Sequence, residues 1–169
     1  EQSFENKNAE IIIFDSHKNL DPLIIREKNK KKIVITLDWF GRESPHYNII
    51  IYPHSTPKGH IKSFIGLEYV IIRDEILLLK ETKKIKNKAL VCIGGGDTLN
   101  QSYMAAEYLY RKGLNVTVVM GKSNNKSLLS KKYNLLSNPQ NFPEILAESS
   151  FVITNGGGWM FESIYLNTP

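Results

Sequence analysis

Two glycine-rich segments have residue types and spacing suited to chemistry: Gly94-Gly95-Gly96-Asp97 and Asn155-Gly156-Gly157-Gly158. Each directly follows an apolar run, and each directly precedes a helical pattern. Glycines let backbone N–H groups approach an anion, and a helix N-terminus adds about half a unit of positive charge. One such loop is a weak signal. Two of them, about two βα units apart in one parallel sheet, suggest a nucleotide diphosphate held between loops.

Glu162 follows the second segment by one helical turn if a helix starts near Gly158. Helix side chains lean toward the N-terminus, so the carboxylate points back toward the loop. A carboxylate repels a diphosphate. Its natural partner is a neutral diol, such as the two ribose hydroxyls, which both donate to one carboxylate. The plain alternative is a surface acid that favours the helix N-terminus electrostatically. In the first segment, Asp97 or Thr98 reads as a plain helix N-cap before it reads as a ligand contact. Gly121-Lys122-Ser123-Asn124-Asn125 follows a strand on the same sheet edge and reads as a polar turn or as part of a cleft lining.

The four histidines, His17, His46, His54 and His60, have no metal-ligand spacing. Asp15-Ser16-His17 has the residue types of a catalytic triad. Adjacent residues of an extended segment point to opposite sides, which argues against one. His46, in Arg42-Glu43-Ser44-Pro45-His46, reads as a loop residue rather than a base.

Alternating strands and helices must position these groups. Apolar runs predict strands at 10–15, 32–38, 48–52, 69–72, 89–93, 115–120 and 151–154, with a further short apolar stretch at 133–136. Helical patterns fall at 18–28, 73–80, 98–112, 142–148 and 159–167. Thr98 and Gln101 form a capping-box pair, and Gly113 stops that helix. Pro53 to Gly59 and Gly121 to Lys126 are loops. Continuous rather than alternating hydrophobicity argues for strands buried on both faces, as in a parallel α/β sheet. The lysine-rich stretch 82–88 is the candidate linker, between one unit at 1–81 and a second at 89–169 where the pattern restarts.

The 169 residues, 41% hydrophobic, can bury a real core. The single cysteine, Cys92, excludes a disulfide framework or a cysteine metal site and reads as a buried strand residue in a reducing compartment. No run approaches the roughly 18 apolar residues of a membrane span, and no secretory signal is seen. A cytoplasmic location is the expectation. The net charge of +5 gathers in two lysine-rich runs, 26–32 and 80–88, that read as solvated helix ends and loops. They lack interleaved aromatics, so nucleic acid is not an expected partner.

These residues bring a family into view. Gly94-Gly95-Gly96-Asp97, then Val119-Met120-Gly121-Lys122-Ser123-Asn124, then Asn155-Gly156-Gly157-Gly158 with Glu162 and Pro169 resemble the C-terminal half of a GT-B protein. The closest resemblance is to the UDP-sugar hydrolases of pseudaminic acid synthesis and the related spore-coat polysaccharide biosynthesis proteins. In the first half, Phe14-Asp15-Ser16-His17, Leu37-Asp38-Trp39-Phe40-Gly41-Arg42 through His46-Tyr47-Asn48, and the segment 65–75 resemble that family's strand ending in an acid, its acid-rich turn, and its Leu-Gly-x-x-Tyr-x-Leu-Leu-Arg-x-Glu-Phe segment.

The resemblance implies two Rossmann-like α/β domains of GT-B type, both truncated here, with a UDP-sugar in the cleft. By position it maps nucleotide binding to Gly95, Gly96, Gly157, Gly158 and Glu162. It implies cleavage of the sugar C1–phosphate connection by water. No metal or other cofactor is expected, because backbone amides and helix ends supply the positive field. It also implies that the catalytic histidine lies in a glycine-rich loop upstream of Glu1, leaving this stretch inactive alone. Trp159-Met160 departs from the small hydroxyl residues that family places after the second glycine loop. A GT-B glycosyltransferase using the same nucleotide half, and a non-catalytic nucleotide-sugar-binding module, are the alternative readings.

Overall fold

A computed structural model of the chain describes residues 8–16, 18–51, 62–93, 97, 101–120 and 132–169. Packing divides it into two compact units, Glu1–Val70 and Ile71–Pro169.

The first unit holds a four-stranded parallel sheet in the order β1 (Ile11–Phe14), β2 (Ile33–Leu37), β3 (Tyr47–Ile50), β4 (Lys62–Ile65). The helix α1 (Asp21–Asn29) joins β1 to β2, with Pro22 in its first turn, where a missing N–H costs nothing. Leu20 and Ile24 of the α1 region pack with Val34, Trp39 and Phe14 on one face of this sheet. Buried on that face, the Asn48 side chain joins β2, β3 and the turn between them. Its Oδ1 accepts from Thr36 Oγ1 at 2.9 Å and from the Trp39 N–H at 3.2 Å, while its Nδ2 donates to the Trp39 carbonyl at 2.7 Å.

The opposite face differs from the expectation of two-sided burial. Register places Ile11 beside Ile33 and Ile13 beside Ile35. Alternate strand residues share a face, so these four lie opposite α1's side. Ile11 is 53% exposed, Ile13 63% and Ile33 41%. An apolar run here thus records a sheet with one covered face among the described residues.

The second unit is covered on both faces. Its parallel sheet runs β7 (Asn134–Ser137), β6 (Asn115–Met120), β5 (Ile85–Cys92), β8 (Ser149–Thr154). Ala89, Val91, Val116 and Val118 pack with Ala106 and Leu109 of α3 (Gln101–Arg111). On the other side Leu90, Cys92 and Val119 pack with Ile76 of α2 (Asp74–Leu77), with α4 (Phe142–Glu148), and with Leu166 just past α5 (Gly158–Tyr165). Gly113, at φ +81°, closes α3, with Leu114 N–H donating to the Leu109 carbonyl and Gly113 N–H to that of Tyr110. Two helix-flanked parallel sheets give the Rossmann-like α/β class the sequence predicts.

Three elements differ from expectation. The strand at 69–72 is instead a short 3₁₀ turn, Leu67–Tyr69, followed by extended chain, and the true edge strand is β4. The segment 71–81 packs with the second unit, where Ile76 is fully buried, so the division falls near residue 70. The lysine-rich stretch 82–88 is in part strand. β5 already begins at Ile85, and its pairing with β8 shifts register between Ile85 and Ala89 around Asn87, at φ +62°. Lysines on this irregular, exposed strand start look like a linker in composition alone.

Candidate functional site at the end of strands β5 and β8

The strand order of the second sheet reverses beside β5. The chain steps outward from β5 to β6 and β7, then returns to the far side of β5 as β8. The carboxyl ends of β5 and β8 therefore flank a topological switch point, where open α/β sheets place their ligands. In sequence, one glycine segment follows β5 and the other follows β8. Gly94, Gly95 and Gly96 lie outside the described residues, as do Thr98 and the 121–126 loop.

The two helix N-termini that follow are not equivalent. At α3, the Asp97 carboxylate accepts from the Gln101 N–H at 2.8 Å through Oδ1 and from the Ser102 N–H at 2.9 Å through Oδ2. Burial pushes the Asp97 carboxyl up, but its hydrogen bonds from Ser102 and Gln101 outweigh that and hold it below the ordinary aspartate value. The chain's own anion thus occupies this helix end, which decides between the two readings of Asp97 in favour of a cap.

At α5 the first turn carries no acid, and its N-cap residue Gly157 makes no side-chain cap bond. A Cβ on Gly156 or Gly158 would meet nothing within 4 Å, and one on Gly157 would meet only Asn155 Oδ1, at 3.4 Å. Neither local packing nor positive φ requires glycine here. Trp159 turns into the core, its ring centroid 4.6 Å from that of Phe142.

Glu162 is not the surface acid of the plain reading; it is 4% exposed. Arg73, just before α2, grips it with two bonds, Nε to Oε1 at 2.6 Å and Nη2 to Oε2 at 2.8 Å. The pair raises the pKa of the already strongly basic Arg73 guanidinium further. The guanidinium also lies 5.9 Å from the Phe142 ring centroid, a cation–π distance. Burial pushes the Cys92 thiol up to about 11, with Glu162's negative charge adding to the effect. Glu162 therefore sits near the last residue of β5, close to the switch point. Cys92 is a neutral core thiol at ordinary pH.

Arg73 is the residue the sequence reading passed over as a site component. The available signal was Glu162 itself, an acid in the otherwise apolar or uncharged helix Gly158–Tyr165, which calls for a buried cationic partner.

His46 has a structural task. Its backbone N–H donates to the Val34 carbonyl at 2.8 Å, and its Nδ1 accepts from the Val34 N–H at 3.0 Å. That places the ring beside β2 as an acceptor. His17, His54 and His60 lie outside the described residues. Among the described residues, no three His, Cys, Asp or Glu side chains cluster as a metal site would require, and no helix is long and apolar enough to cross a membrane.

No protein-family model matches the chain. An uncharacterized protein of Methanocaldococcus jannaschii is similar to it, at 30% identity over 63% of this chain. The chain spans 26% of that relative, about a quarter of its length.

Proposed function

We propose that the second unit is the nucleotide-binding half of an enzyme acting on a UDP-sugar. The reaction proposed is hydrolysis that releases UDP from an amino sugar, as part of surface or spore-coat polysaccharide synthesis. One observation carries the reading: the switch point between β5 and β8 opens onto Gly156–Gly158 and an α5 N-terminus with no acidic residue in its first turn. Such an end suits a diphosphate, whose charge the amides and helix dipole would stabilise as UDP departs. Glu162, buried one turn further on, supplies the carboxylate for a ribose hydroxyl. The family resemblance, carried by the glycine segments and the 65–75 segment, supports uridine as the base and water as the acceptor.

Isothermal titration of the intact protein with UDP tests the binding step. Saturable binding that weakens at least tenfold in Glu162→Ala is expected. Binding that is absent, or unchanged by that substitution, would sink the reading. UDP release from a UDP-sugar without added acceptor separates a hydrolase from a glycosyltransferase, and UDP binding without turnover identifies a binding module.

A further inference from the structure

We infer that Arg73 is a positioning residue that restricts Glu162 to reading one sugar hydroxyl rather than two. The inference rests on the nucleotide reading and sharpens what that site recognises. The two nitrogens of the Arg73 fork each meet a different oxygen of Glu162, at 2.6 and 2.8 Å. Two parallel bonds of this kind approach along the axis of the carboxylate and fill the lone pair that each oxygen turns toward that approach. Those inward lone pairs are the ones a vicinal diol uses when both hydroxyls donate to one carboxylate. What remains on Glu162 is one outward lone pair per oxygen, and these diverge. A single ribose can reach only one of them.

The fork is itself held in place. The Arg73 guanidinium lies 5.9 Å from the Phe142 centroid, and Phe142 in turn packs on Trp159 at 4.6 Å. Glu162 is 5% exposed at its side chain, whereas Arg73 is 44% exposed. The carboxylate is thus the more enclosed member of the pair. Lysine in place of arginine keeps the charge but contacts a carboxylate as a point, without a defined plane. Arg73→Lys therefore separates orientation from charge.

The test is titration of the intact protein with UDP, 2′-deoxy-UDP and 3′-deoxy-UDP. In the wild type, one deoxy analogue is expected to bind about tenfold or more weakly than UDP, as befits one lost bond to a charged acceptor, and the other within about twofold. In Arg73→Lys the two analogues are expected to converge to within about threefold of one another. A ratio of affinities within one variant does not change with the fraction folded, so a purely structural role for Arg73 would leave it unmoved. Equal large losses for both analogues in the wild type would mean that the diol displaces Arg73, and would overturn the inference while leaving the nucleotide reading intact. A wild-type ratio preserved in Arg73→Lys would overturn it as well. No heat with UDP itself overturns the nucleotide reading and this inference together, and Glu162→Gln, which keeps the shape but not the charge, should abolish the discrimination whether or not Arg73→Lys folds.

Discussion

A Cβ on Gly158 would meet nothing within 4 Å, and the residue is already the first of α5. Alanine fits a helix better than glycine by roughly 0.5–1 kcal/mol. Stability alone therefore favours Gly158→Ala. An anion seated on the α5 amides makes the opposite demand, because the added methyl stands where phosphate oxygens approach. Gly158→Ala is expected to hold or raise the melting temperature and to weaken UDP binding at least tenfold, with calorimetry reading both. Unchanged UDP affinity would remove the glycine loop from the site. The identity of Gly157, Gly158 and Glu162 as candidates was legible in the sequence, because loop glycines before an apolar helix are a local pattern. The Arg73–Glu162 pair was not, because its members stand 89 residues apart and meet only through the tertiary fold.

Helices α3 and α5 follow the neighbouring strands β5 and β8 of the same sheet yet begin in opposite electrical states. Asp97 supplies α3 with a built-in anion. Its carboxyl is held below the ordinary value of 3.8, so the folded state binds this proton less readily than the unfolded chain does. Its contribution to stability is therefore fully present above that value and is lost as pH falls below it. Asp97→Asn keeps one acceptor oxygen and is expected to cost about 1 kcal/mol near neutral pH. The gap between wild type and variant should close as urea melts are repeated below about pH 4. A gap independent of pH would mean that the charge of Asp97 is not what caps the helix. The elements of this unit were the most legible: 115–120 and 142–148 fall where the sequence predicts them, because strands and helices packed on two sides carry long unbroken apolar patterns. β4 was hidden because an edge strand whose register positions are Lys62, Ser63, Phe64 and Ile65 offers too short a pattern to read.

The two sheets differ as whole layers. The second is enclosed by helices on both faces, while α1 packs on one face of the first. Burying an isoleucine side chain fully is worth about 1.5–3 kcal/mol, and Ile11, Ile13 and Ile33 forgo much of that. Ile13→Lys is accordingly expected to leave the unfolding free energy within about 0.5 kcal/mol of wild type, while raising the protein concentration at which light scattering first appears. A loss of several kcal/mol on denaturant melting would show that this side chain is enclosed in solution. With one face of the sheet enclosed and the other exposed among the described residues, solubility and folding come under the control of different residues on the same strands. Substitutions at Val34 and Phe14 ask whether the first unit folds; substitutions at Ile11, Ile13 and Ile33, one residue over on the pleat, ask what it adheres to.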